Sequence, residues 1–403
     1  MNAPPRPEST EIRMTRLVFG ASLFLTTALF FILALAQPTR LVFAALAGSS
    51  LVWAAGLLLL ERVRGGWATS ALLVVAAANL VIGPAEAGLR LAGFRHEAGI
   101  QFGYPRPYQF DPFEPHERLF WTFPPSTRGI NRYGVREREV VVPKPATTVR
   151  VLFLGNSCTY QGAPGRIEKL LRRRIAGIEC LNFAVPGYTS HQGRVLLEEY
   201  GDEIDPDMLV VSFGWNDRWL AWGATDEHKR PRIARGRAAR IGRFVYLRWR
   251  LLQLARRALT PLFGSEAPLD VPRVPPQRFR DNLEAIARAA ADRGIPVLFA
   301  TEPSAHPAHG VPEYIVRSRY AASDESALEL MRHYNDITRE AAALPGRHLA
   351  DLDSLLTCRA DVERFFTADG IHFSRAGIEF VAAAEAEIIA PLLEQGGGRG
   401  TVP

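Results

Sequence analysis

From Val149 onward the chain alternates short, almost wholly apolar runs with amphipathic stretches, and that alternation leaves few folds open. Val149 to Leu154, Cys180 to Val185, Met208 to Phe213, Pro296 to Ala300 and His348 to Leu352 are predicted strands, each short and nearly all apolar. Between and after them, Arg166 to Arg174, Gln192 to Tyr200, Gln277 to Asp292, Ser326 to Ala343 and Ser374 to Ile389 carry the apolar spacing of helices. A strand apolar on both faces must be covered on both, and strands separated by helices pair in parallel. The expected fold class is α/β, a three-layer α/β/α sandwich with a mainly parallel sheet. Chemistry in such sheets sits in the crevice beyond the carboxyl ends of the strands.

The first 94 residues follow a different rule. Apolar runs cover 17–36, 41–60 and 67–83, and every charge of this region falls outside them. At a rise of 1.5 Å per residue, about 20 residues cross a hydrocarbon core of roughly 30 Å. The runs therefore read as about three transmembrane helices, and their lack of a polar face argues against core helices of a soluble protein. Arg13 and Arg16 precede the first run, and Arg62 and Arg64 separate the second from the third, which places those ends in the cytoplasm. Three crossings then leave everything after Gly83 outside. The expectation is a multi-pass protein of the inner (cytoplasmic) membrane with an extracytoplasmic C-terminal domain. Ala34-Leu35-Ala36 also resembles a signal-peptide cleavage site, but a further spanning run would begin only a few residues past the cut. Ala85 to Phe94 reads as an interfacial continuation. Residues 95–145 form a Pro- and aromatic-rich connector whose aromatics need burial, 146–391 the α/β domain with a basic insertion at 218–275, and 392–403 a flexible tail.

The net charge of +6 comes largely from arginines between Arg218 and Arg257. Basic charge of this kind suits nucleic acid, but a location outside the cell argues against that partner. Apolar residues recur among these arginines, so a basic helix on anionic headgroups is one reading. A helix packed on its own domain with a solvated basic face is the preferred one. Cys180 and Cys358 are open to a disulfide or to remaining buried free thiols, and Cys158 directly follows a candidate nucleophile. There is no Walker A or Rossmann glycine fingerprint. His306-Pro307-Ala308-His309 lacks a third ligand and the helical His-x-x-x-His spacing, so a structural or substrate-facing loop is preferred to zinc. Neither a cofactor nor a metal is expected.

Two distant segments carry the chemistry. Val151-Leu152-Phe153-Leu154-Gly155-Asn156-Ser157 runs a strand into a small-residue turn bearing a serine, and Asp369-Gly370-Ile371-His372 sets an acid and an imidazole three residues apart. Serine is a poor nucleophile at neutral pH and needs a base within reach and a group to orient that base. Asn182-Phe183-Ala184-Val185-Pro186-Gly187 and Phe213-Gly214-Trp215-Asn216-Asp217 add small residues at two further strand ends, where backbone N–H groups can approach a substrate. Taken singly, Ser157 is an ordinary turn serine, Asn216-Asp217 a helix cap and His372 a partly buried histidine.

Together and in this order the four blocks resemble the SGNH or GDSL hydrolase family over roughly Ala146 to Pro391. The resemblance implies an SGNH/flavodoxin-like fold and a serine ester hydrolase. It implies Ser157 as nucleophile, His372 as general base and Asp369 as its orienting group. The Ser157 N–H, the Gly187 N–H and the Asn216 side-chain amide would line the oxyanion hole. Glu86 to Phe94, Asn131 to Arg136 and Arg332 to Glu340 look like membrane-anchored bacterial members, which implies a membrane partner and short acyl esters of a cell-envelope glycan. An O-acyltransferase or a non-catalytic glycan-binding protein would share these features. Asn156 stands where the family usually has Asp, and the basic insertion alters the rim of the site.

Overall fold

The computed structural model describes residues 85–86, 88–96, 112–230, 237–263 and 268–396, together with Thr10 and Met14. The expected membrane runs 17–36, 41–60 and 67–83 lie outside the described residues, as do 397–403 of the tail. Among the described residues, no helix is long and apolar enough to cross a membrane. Residues 85–96 pack with 237–263 in one compact unit, and 112–230 with 268–396 form the other.

In the larger unit, β1 (Glu114–His116) and β2 (Phe120–Thr122) pair as an antiparallel hairpin. The chain continues through β3 (Val149–Gly155), α1 (Ser157–Tyr160), α2 (Ala163–Leu171), β4 (Ile178–Asn182), α3 (Ser190–Ile204), β5 (Met208–Ser212) and β6 (Leu220–Trp222). The smaller unit takes α4 (Arg237–Arg248) and α5 (Arg250–Phe263). The larger unit resumes with β7 (Pro268–Pro272), α6 (Pro276–Asp292), β8 (Val297–Ala300), α7 (His306–His309), α8 (Glu313–Arg317), α9 (Asp324–Ala342), β9 (Arg347–Ala350), α10 (Leu352–Leu356) and α11 (Arg375–Gly396). β6 and β7 pair antiparallel, so the basic insertion leaves and re-enters the domain through one ribbon.

The main sheet has the order β4-β3-β5-β8-β9, and every pairing in it is parallel. Alternate residues of β3 explain the three layers. Leu152 and Leu154 point into a core shared with Leu196 of α3, Phe279 of α6 and Ile337 of α9. Val151 and Phe153 point the other way, against Ile167 of α2 and Ile389 of α11. The chain leaves β3 for β4 on one side and returns to β5 on the other, so the strand order reverses at β3 and opens a crevice at its carboxyl end.

Two local devices fix what emerges there. A capping box starts α3 two residues earlier than its apolar spacing suggests, with the Thr189 N–H donating to Gln192 Oε1 at 3.0 Å. Asn156 caps α1, its Oδ1 accepting from the Cys158 N–H at 2.9 Å. The connector is drawn into the core: Leu119, Trp121, Tyr133 and Val135 join the cluster over one sheet face. Cys158, Cys180 and Cys358 are all free thiols, and Cys358 is exposed where a buried one was expected. The basic helices keep an exposed face, but their packing partner differs from the α/β domain expected: 237–263 group with 85–96.

Candidate active site

Ser157 opens α1 directly after β3, and Asp369 to His372 lie in the loop before α11. The structure brings them together. His372 Nε2 lies 2.8 Å from Ser157 Oγ, and His372 Nδ1 lies 2.5 Å from Asp369 Oδ2. Asp369 is itself held: its Oδ1 accepts from the backbone N–H groups of Ile371 and His372 at 3.0 Å each and from Thr367 Oγ1 at 2.8 Å. Burial pushes this carboxyl up, but the hydrogen bonds from His372, Ile371 and Thr367 outweigh it and keep the group well below the usual carboxylate range. An ionised Asp369 favours the imidazole tautomer with the proton on Nδ1, leaving Nε2 free to accept from Ser157.

Gly370 has φ +69°, and a Cβ there would meet His306 Cδ2 at 2.7 Å. Only glycine lets the loop press this closely on α7. His306 Nε2 lies 2.8 Å from the Asp369 carbonyl, and Ala305 N and Ser304 Oγ both donate to the Gly370 carbonyl. A carbonyl only accepts, so this contact sets the proton of His306 on Nε2. Of the two histidines weighed as a loop or a zinc site, His306 therefore supports the Asp369 turn and His309 lies against Glu363 at 2.9 Å, and among the described residues no group of side chains could hold a metal.

Gly187 (φ +83°) and Asn216 follow β4 and β5. The Ser157 and Gly187 N–H groups donate to no other group among the described residues. Asn216 gives one N–H to the Tyr188 carbonyl at 2.9 Å, and its amide carries a second. The peptide that carries the Gly187 N–H is fixed from behind, because Trp121 Nε1 donates to the Pro186 carbonyl at 3.1 Å. The next carbonyl, that of Gly187, accepts from Arg273 at 2.9 Å. Arg273 and Lys229 are fully buried around Asp226. Burial raises that carboxyl, but the two cations overcome it and hold it far below its ordinary value. Three residues of the insertion thus brace the Gly187 turn.

Cys158 is not a competing nucleophile. Its thiol is buried and pushed well up by desolvation, with Glu302 adding to the shift.

Sequence reasoning missed Trp121, Arg273 and Glu302. Of these, Glu302 had a visible signal, a lone acid just past the predicted strand Pro296 to Ala300. Its buried carboxylate accepts from Asn156 Nδ2 at 2.5 Å and from the Trp215 N–H, so it ties the turn of Ser157 to the turn of Asn216. Burial raises it to about 7 against those hydrogen bonds. The Asn156–Glu302 pair explains why Asn serves at the position where Asp is usual: two carboxylates at this distance cannot both ionise. Asn156→Asp is expected to cost about 3 kcal/mol at pH 8, because it buries an uncompensated charge. Asn156→Asp with Glu302→Gln reverses the polarity of the pair and should recover most of that loss. Thermal unfolding and ester turnover of both variants measure it, and a single variant as stable and active as wild type would refute the pairing.

Glu385 of α11 is also buried, with no hydrogen bond among the described residues, and burial alone raises it to about 8. Glu302 and Asp217, the latter raised to about 7 chiefly by burial, behave alike. Each folded-state value lies above its unfolded one, so the folded chain holds protons that the unfolded chain releases. Burial works the other way on His191, lowered to about 4, and on His306 and His348, which add stability as pH rises through about 6.5, so the net fall in stability is expected between about pH 6.5 and 8. Thermal midpoints across that range test the slope, and Glu385→Gln should flatten it.

The sequence model of the GDSL-like Lipase/Acylhydrolase family matches residues 153–379, more than half of the chain. No curated protein matches the chain. Among solved structures, it is similar to a lipase/acylhydrolase from Enterococcus faecalis at 17% identity, covering 60% of this chain and 96% of that one with a TM-score of 0.39. An acetyl xylan esterase, AlAXEase, matches at 16% identity, covering 60% and 100% with a TM-score of 0.38. A GDSL-like lipase from Bacteroides thetaiotaomicron matches at 14% identity, covering 64% and 91% with a TM-score of 0.37.

Proposed function

Because the chain belongs to the GDSL-like lipase/acylhydrolase family, we propose that it hydrolyses short acyl esters of a cell-envelope glycan through an acyl-enzyme on Ser157. The observation that carries this reading is the hydrogen-bonded line from Ser157 Oγ through His372 to Asp369. In the first half-reaction Ser157 Oγ attacks the ester carbonyl carbon while His372 Nε2 takes its proton. The oxyanion takes hydrogen bonds from the Ser157 and Gly187 N–H groups and the free N–H of Asn216, each such donor stabilising the transition state by roughly 3 kcal/mol. Collapse expels the alcohol, which receives the proton from His372. Water, deprotonated by the same nitrogen, then attacks the acyl-serine and releases the acid with Ser157 restored.

The membrane part of the proposal rests on sequence. The runs 17–36, 41–60 and 67–83 support a multi-pass inner-membrane anchor with the catalytic domain outside the cytoplasm. The likeness of Glu86 to Phe94, Asn131 to Arg136 and Arg332 to Glu340 to membrane-anchored members supports an envelope glycan as substrate.

The test is acid release by the purified full chain from acylated glycan fragments. Faster turnover of acetyl than of long-chain esters supports the assignment. Activity confined to long-chain lipid esters would remove the glycan reading, and transfer to added glycan without net hydrolysis would replace hydrolase by acyltransferase.

A further inference from the structure

The helix pair α4–α5, which breaks at the single residue Trp249, carries an unusual surface. Residues 237–263 hold seven arginines and no acidic residue. Ile241 and Phe244 on α4 are 56% and 46% exposed, and Leu252, Leu259 and Leu262 on α5 are 42%, 44% and 77% exposed. Leu252, Leu259 and Leu262 are spaced i, i+7, i+10 and so share one helical face, while Leu254, 39% exposed, stands off it. The α4 pair stands at i, i+3, with the Arg248 guanidinium lying over the Phe244 ring at 3.7 Å. Arg237, Arg240 and Arg257 are exposed beside these apolar positions.

Other positions of the two helices are occupied. Gln253 is buried, donates to the Tyr246 and Leu247 carbonyls and accepts from the His96 N–H at 3.1 Å, while Tyr246 Oη donates to the His96 carbonyl at 3.2 Å. The first turn of α5 is capped from the same segment. Glu86 accepts from the Arg250 N–H at 3.0 Å and the Leu251 N–H at 2.9 Å, and Arg90 binds both Glu86 and the Arg248 carbonyl. Glu86 stands three residues after the apolar run 67–83 ends. If that run crosses the bilayer, the few residues between them limit how far the start of α5 can lie from the level at which the run leaves it.

We propose that the α4–α5 helix pair docks on the anionic lipid surface of the membrane, with Leu252, Leu259, Leu262, Ile241 and Phe244 among the acyl boundary and its arginines on the headgroups. The chemistry selects this occupant. Exposed apolar side chains flanked only by cations gain from an apolar layer bounded by anions, and a lipid surface offers both in one plane. The proposal rests on the reading of 17–83 as membrane-spanning, which is scored separately by alkali-resistant retention of the chain in vesicles.

The test uses the full chain with Cys358→Ser and Leu259→Cys, labelled at residue 259 with an environment-sensitive fluorophore. It is reconstituted into phosphatidylcholine vesicles with and without phosphatidylglycerol, and if it is not retained, it is added to preformed vesicles of the same compositions. Blue-shifted emission, quenched by bromolipid and stronger with phosphatidylglycerol, is the expected result. Changing Arg237, Arg240 and Arg257 to Gln should lower the docked-to-free ratio by about fivefold per arginine, while ester turnover in detergent stays unchanged. Water-like emission in both lipid compositions would overturn the proposal. A blue shift that grows with protein concentration in detergent would assign the face to a second copy of the chain instead.

Discussion

Ser157→Ala is expected to lower turnover of a short-acyl nitrophenyl ester by at least about 10⁴-fold, with the thermal midpoint within a few degrees of wild type. The size follows from what is lost: without Oγ there is no acyl-enzyme, and only the oxyanion donors and substrate binding remain to accelerate attack by water. The fold should tolerate the change because the turn is held by neighbours. Asn156 caps α1 through the Cys158 N–H and is pinned by Glu302, and neither bond involves the Ser157 side chain. Steady-state kinetics alongside thermal unfolding separate the two effects. A loss of activity that tracked a loss of fold would leave Ser157 a structural serine, and retained turnover would exclude it from the chemistry.

Asp369→Asn should cost nearly as much, about 10⁴-fold in turnover with little change in KM. Asparagine can keep its carbonyl oxygen on the Ile371, His372 and Thr367 donors that now hold Asp369 Oδ1. Its amide nitrogen then faces His372 Nδ1 in place of Oδ2, and a donor there forces the imidazole proton onto Nε2. A protonated Nε2 donates to Ser157 Oγ and cannot take its proton. The same replacement leaves the His306 contact to the backbone carbonyl of residue 369 in place, so the loop should hold its shape. Turnover within tenfold of wild type would show that the acid does not orient the base.

The parts of this molecule that sequence made legible are those with a local cause. β3, β5 and β8 sit within a residue or two of their apolar runs because a strand buried on both faces has no polar positions to blur its limits. β4 differs: it starts at Ile178 and stops at Asn182, and the apolar Phe183 to Val185 are buried loop residues on the way to Gly187. Period alone cannot tell such residues from strand.

The site divides the same way. Ser157, Gly187 and Asn216 follow strands and Asp369 lies three residues from His372, so their positions showed in short motifs. Trp121 meets Pro186, Arg273 meets Gly187 and Glu302 meets Asn156 across 65, 86 and 146 residues of chain. No local pattern marks a partnership of that kind. The basic insertion was legible as charge but not as a division between a brace for the Gly187 turn and a separate pair of helices.

The central claim is that His372 activates Ser157 as the nucleophile, and covalent labelling with a fluorophosphonate followed by peptide mapping tests it most directly. One adduct is expected, on Ser157, and it should disappear in Ser157→Ala and form at least about 10³-fold more slowly in His372→Ala. An adduct on Cys158 or another serine, or labelling of Ser157 that is indifferent to His372, would contradict it.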